Sequence, residues 1–154
     1  MSNRKFLSFL PLSHSYEYTG GQFFPISIGA QVYFAEGVEQ LRTNLTEAKP
    51  TLMTAVPRLY ESMHARIVRG VDQAGGLKAK LFKLALTLGE KKLNENNKLT
   101  FIEKLLDSVV EKLVRKKVRS TFGGRLKALV SGGAPLNLDI GIFFSALGLR
   151  LLQG

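Results

Sequence analysis

Short apolar runs rich in β-forming residues alternate with longer segments of helical period along the whole chain, and this alternation limits the folds open to it. Lys5 to Leu10, Gln31 to Ala35, Thr51 to Val56, Arg125 to Val130 and Leu149 to Leu152 read as strands. Between them, Val38 to Ala48 repeats apolar or small residues at helical spacing, and Pro57 suits a first helical turn, with Leu59, Met63, Ile67 and Val71 on one face. His14 to Ala30 reads as a mostly buried helix despite its glycines and Pro25, and Leu138 to Leu147 as a shorter one. Two long helical stretches, Leu77 to about Leu93 and Thr100 to about Thr121, join through the polar residues 94–97. Strands that alternate with helices need right-handed crossovers and a mainly parallel sheet. The expected fold is therefore α/β: a mainly parallel five-stranded sheet with flanking helices and an inserted, protruding helical pair at 77–121.

Composition removes several function classes. With no cysteine, neither a disulfide framework nor a thiolate metal site can form. The two histidines lie far apart, which argues against zinc, and no metal-ligand spacing is present. No apolar run approaches the length of a membrane span, and Pro11, Ser13 and His14 interrupt the N-terminal apolar run too early for a signal peptide. A cytoplasmic location is the expectation, with possible placement against the inner face of a membrane. The net charge of +10 invites an anionic partner, and Lys112, Arg115, Lys116, Lys117, Arg119, Arg125 and Lys127 concentrate it. Few aromatics interleave with them, which argues against single-stranded nucleic acid. A solvated helical face is the first reading of this stripe, and an anion-binding surface such as a membrane contact through Lys112–Lys127 the second.

Three strand ends carry the residues of interest. The run ending at Val130 opens into Ser131-Gly132-Gly133-Ala134-Pro135, whose glycines let a flat ligand approach the main chain. The first strand runs into Leu10-Pro11-Leu12-Ser13-His14-Ser15-Tyr16-Glu17-Tyr18. On a helix, His14, Glu17 and Tyr18 share a face. Thr54-Ala55-Val56-Pro57-Arg58-Leu59-Tyr60 closes the third strand. Parallel strands present their carboxyl ends together, so His14 and the 131–135 turn should converge on one edge.

In order and spacing these segments, with Lys49-Pro50-Thr51, Phe122-Gly123-Gly124-Arg125-Leu126 and Leu152-Gln153-Gly154, resemble the long-chain fatty acid–CoA ligases of the AMP-binding, adenylate-forming superfamily. The resemblance covers essentially the whole chain and implies part of a larger adenylate-forming domain, with 77–121 as the helical insertion of the long-chain branch. It implies fatty acid, ATP and CoA as substrates and Mg²⁺ as an assisting ion, through an acyl-adenylate. It places His14 near the carboxylate and adenylate, and Ser131, Gly132, Gly133, Ala134 and Pro135 on the adenine side. Gln153 and Gly154 would flank the nucleotide. Tyr18 would stand where some relatives gate the acyl tunnel, and Thr54, Ala55 and Val56 would approach the acyl channel. The family's phosphate loop, its Tyr-Gly-x-Thr-Glu motif and its catalytic lysine have no counterpart here, so an inactive segment of an active ligase is the expectation. A basic peripheral-membrane or nucleic-acid module without catalysis is the alternative.

Overall fold

The computed structural model describes residues 3–94 and 98–154. Five strands form one sheet in the order β2-β1-β3-β4-β5, every neighbouring pair parallel. They are β1 (Lys5–Ser8), β2 (Gln31–Phe34), β3 (Leu52–Ala55), β4 (Ala128–Ser131) and β5 (Leu151–Gln153). The expected α/β sheet is thus observed. The order reverses between β1 and β3, the doubly wound arrangement in which ligands sit outside the carboxyl ends of the strands.

Register decides what each face buries. Met53 lies opposite Leu7 and Leu129, and these three point to one face, where they are fully buried. That face is covered by α3 (Pro57–Ala74), α4 (Gly76–Leu93) and α7 (Leu138–Ala146), whose Leu59, Tyr60, Phe82, Leu88 and Phe144 complete the core. The opposite face presents Phe6, Ser8 and Thr54 to the helical segment that follows β1. There Phe6 meets Phe24 edge to face at 6.0 Å, and Gly20 lies against Thr54.

Local chemistry explains the element ends. Pro57 opens α3, and α2 (Leu41–Ala48) stops at Lys49, whose φ of 47° leads into Pro50. Thr100 and Glu103 form a capping box at the start of α5 (Phe101–Val110). The helical stretch ends with Gly124 N–H donating to the Arg119 carbonyl and Gly123 N–H to that of Ser120, both at 3.0 Å. Both glycines have positive φ, as this terminating motif requires. No helix among the described residues is long and apolar enough to cross a membrane.

Three expectations need correction. The segment after β1 is a π-helical turn (Glu17–Phe23) running into α1 (Phe24–Ser27), and it is mostly exposed. Only Glu17, Gly21 and Pro25, spaced by four, form its buried line, while Ile26 is 64% exposed. Of the helical pair, the first member does not protrude: α4 packs along α7, where a Cβ on Gly89 would overlap the Ala146 backbone, while α5 lies outside it with Phe101, Ile102 and Leu105 exposed. Of the polar connection at 94–97, residues 95–97 lie outside the described residues.

The third correction concerns the basic stripe. A second π turn (Glu111–Arg115) separates α5 from α6 (Lys116–Thr121) and rotates Arg115 inward. Its guanidinium is 3% exposed and donates to the carbonyls of Ala85 (2.8 Å) and Ala146 (2.9 Å) and to Asp107 (2.6 Å). One cation therefore ties α4, α5 and α7 together. Burial alone would raise the Asp107 carboxyl, but Lys92 and Arg115 outweigh it and hold the group below its ordinary value. Arg115→Ala is expected to cost about 3–5 kcal/mol in urea unfolding, because it leaves the buried Asp107 carboxylate with Lys92 alone and strands two buried carbonyls. Lys116→Ala, on the exposed side, should stay within about 0.5 kcal/mol.

Candidate functional site

Three strand-end turns meet at the carboxyl edge of the sheet. After β1 the chain turns through Pro11, whose carbonyl accepts from His14 N–H at 2.9 Å, and the helical segment then begins. Tyr16 N–H donates to His14 Nδ1 at 3.3 Å. This leaves Nε2 to carry the proton of a neutral ring. After β4, Gly133 adopts a φ of 82° and is exposed. A Cβ added there would lie 3.6 Å from His14 Cε1 and 3.8 Å from Val56 Cγ1, so the bare Gly133 leaves a methyl-sized slot beside His14 and Val56. The N-termini of α3 and α7 open toward the same edge, where partial positive charge favours an anion.

Backbone bonds fix the 131–135 turn against its neighbours. Gly132 N–H donates to the Ala55 carbonyl at 3.2 Å, and Gly154 N–H to that of Ser131 at 2.8 Å. Gln153 stands opposite Ser131 on β5 and is exposed. Ala134 and Pro135 are also exposed, whereas Ser131 is fully buried beneath the turn. The expected convergence of His14 with the 131–135 segment is observed, and Gln153 and Gly154 border the same edge.

Other expected residues sit differently. Ala55 is fully buried in the core and Thr54 nearly so, which leaves Val56 as the member of that trio that reaches the slot. Tyr18 is 54% exposed and stacks edge to face on Phe23 at 4.7 Å. His14, Glu17 and Tyr18 do not share a face. The π turn starts at Glu17 and turns its carboxyl under the helix, onto Gly21, while Tyr18 faces outward.

Two tyrosines escaped the sequence reading. Tyr16 OH (3.4 Å) and Tyr60 OH (2.9 Å) both donate to the Val130 carbonyl, the last peptide before the Ser131 turn. The Tyr16 ring also occupies the space that a side chain at position 132 would need. Only glycine fits there, so Gly132 reports close ring-to-backbone packing. Burial raises both phenols, Tyr60 most strongly, and keeps them as donors.

Beneath the slot lies a buried polar group of an unusual kind. Among the described residues neither Glu17 carboxylate oxygen, nor Thr54 Oγ1 or Ser131 Oγ, has a hydrogen bond of good geometry; Ser8, Leu10 and Thr54 offer Glu17 only weak ones. Burial pushes the Glu17 carboxyl up, against smaller downward pulls from Ser8, Leu10, Thr54 and His14. A raised folded-state value means that Glu17 stabilises the fold most at acid pH, and that this contribution is lost as pH rises through the raised value. Glu17→Gln should therefore raise the melting temperature at about pH 7.5 and change it little at about pH 4. Thermal unfolding across that range checks the sign; equal effects at both ends would contradict it.

A profile of AMP-binding enzymes matches residues 1–154, and the chain belongs to this family. Its relatives include the peroxisomal long chain acyl-CoA synthetase 6 of Arabidopsis thaliana, 31% identical over 99% of this chain and 21% of that protein. The human long-chain-fatty-acid–CoA ligase ACSBG2 is 31% identical over 94% of this chain and 22% of its own length. The chain thus spans about a fifth of the length of these relatives. Among solved structures, the A domain of a Segniliparus rugosus carboxylic acid reductase, in complex with AMP and a co-purified carboxylic acid, superposes with a TM-score of 0.65. It is 21% identical over 97% of this chain and 20% of that one, a likeness of fold.

Among the described residues no three His, Asp or Glu side chains are grouped to hold a metal ion.

Proposed function

We propose that this chain forms the nucleotide and acyl side of an adenylating cleft in a long-chain fatty acid–CoA ligase. The observation that carries the reading is the slot between His14, Val56 and Gly133 at the sheet's switch point. In the reaction, a fatty acid carboxylate attacks the α-phosphorus of ATP; the α–β phosphoanhydride bond breaks and pyrophosphate leaves. The thiol of CoA then attacks the acyl carbonyl and AMP leaves.

The chain's own residues would supply positioning and charge complementarity. Gly133, bare of a side chain, lets adenine lie flat against the 131–135 backbone, with Gln153 and Gly154 flanking it. His14 Nε2–H donates to an oxygen of the carboxylate or adenylate. Val56 borders the acyl chain, with Thr54 and Ala55 forming the strand behind it, and Tyr18 lies on the outer side of the acyl entrance. The two tyrosine hydroxyls on the Val130 carbonyl hold the adenine-side turn in place. The family's phosphate loop, Tyr-Gly-x-Thr-Glu motif and catalytic lysine have no counterpart in this sequence, so we expect no turnover from these 154 residues alone.

A palmitoyl-sulfamoyl-adenosine analogue of the acyl-adenylate should bind the chain in calorimetry. His14→Ala and Gly133→Val should each weaken it by about tenfold or more, the loss of one charged hydrogen bond or of the slot itself. Pyrophosphate release with palmitate, ATP, Mg²⁺ and CoA should stay at background. Analogue binding unchanged in both variants, or steady turnover, would contradict the reading.

A second property, additional to the first, is peripheral contact with an anionic membrane. Along α5 and the turn after it, Glu103, Asp107 and Glu111 pair with Lys91, Lys92, Arg115 and Arg119, with Asp107 buried. The outward side keeps Lys98, Lys104, Lys112 and Lys116 beside an apolar ridge of Phe101, Ile102, Leu105 and Leu113, with Phe101 84% exposed. This charge segregation suits a helix lying in a lipid interface, on the Lys112–Lys127 side of the molecule. Sedimentation with phosphatidylserine vesicles should fall for Lys112→Glu/Lys116→Glu and survive in Gly133→Val. Equal sedimentation with neutral vesicles would contradict it.

A further inference from the structure

A groove of about 800 Å³ runs between α2, α3, α4 and the segment from Leu113 to Phe122. None of its lining residues belongs to the adenylating slot. Its walls are apolar, with Leu45, Met63, Ile67, Leu81, Val114 and Val118 the residues that matter here. Met63 and Ile67 come from the outward continuation of the α3 stripe that packs Leu59 into the core. A Cβ on Gly70 would meet nothing within 4 Å, so this stretch of the wall stays open.

The charge along the groove has one sign. Arg42, Arg66, Lys78 and Lys117 line it, and no Asp or Glu does. Arg66 pairs with Glu39 at 3.1 Å. Among the described residues no carboxylate pairs with Arg42, Lys78 or Lys117. An apolar trough of this size falls in the range of small-molecule sites. Left unfilled, half-buried apolar walls forfeit dispersion contacts, and unpaired cations beside them gain nothing from each other. An alkyl chain with an anionic head answers both features at once.

We propose that this groove binds one long-chain anionic amphiphile, separately from the adenylating slot, with its chain along Met63 and Ile67 and its head against the cations of the lining, Arg42 and Lys117 foremost. A free fatty acid and a lysophospholipid share this chemistry. The proposal goes beyond the ligase reading and does not depend on it.

Photolabelling tests it directly. The chain is irradiated with a diazirine-bearing palmitate and the label is mapped by peptide mass spectrometry. Label is expected within 62–74 and 113–122, and palmitate should compete for it about tenfold or more better than hexadecanol, which has the same chain without the charge. Ile67→Trp should remove the label. Arg42→Gln/Lys117→Gln, both at exposed positions, should abolish the preference for palmitate over the alcohol. His14→Ala should leave groove labelling unchanged while weakening the acyl-adenylate analogue, which separates this proposal from the ligase reading. Lysophosphatidic acid competing better than palmitate would assign the head to a lipid phosphate. Label confined to peptides around His14 and Gly133, label scattered over the surface, or equal competition by hexadecanol would overturn the proposal.

Discussion

The parallel ladder of β1, β3 and β4 is the constraint on which the rest depends. Because these strands run the same way in fixed register, the turns that leave them must open on one edge. The reversal of order between β1 and β3 sends the helical segment after β1 to one face and α3, α4 and α7 to the other. His14, Val56 and Gly133 meet at the edge between these layers. Two hydroxyls on the Val130 carbonyl then fix the peptide that aims the glycine turn. Backbone placement, rather than any single reactive side chain, defines this edge.

The outer layer depends on a different interaction. Arg115 spans three helices by hydrogen bonds that only a planar, permanently charged fork can make together. Its burial draws Asp107 inward, and Lys92, Arg119 and Glu111 complete the pairing. The acids of α5 are consumed on the inner side, and the outer side is left basic. The ridge along α5 inherits its positive charge from this segregation.

Much of the fold was legible because strand and helix periods differ. Five strands and the helical stretches between them emerged from alternation, prolines and paired glycines. Strand order was not legible, since any parallel order satisfies the same pattern. Neither π turn left a side-chain signature: Glu17 and Arg115 look like surface charges until an altered hydrogen-bond register rotates them inward. In the site, glycines and His14 stood out because their chemistry is local. Tyr16 and Tyr60 did not, because their shared acceptor lies 114 and 70 residues away. The exposure of Ile26 was hidden too, since composition reads apolar residues as core.

The central claim is that the edge formed by His14, Val56 and the 131–135 turn receives the adenylate. Amide chemical-shift mapping of this chain, titrated with palmitoyl-sulfamoyl-adenosine, tests it most directly. The account predicts that the amides of His14, Val56, Ser131, Gly132 and Gly133 shift first and saturate together, with a spread toward Gln153 and Gly154. Shifts confined to α5 and α6, or to strands away from this edge, would contradict it.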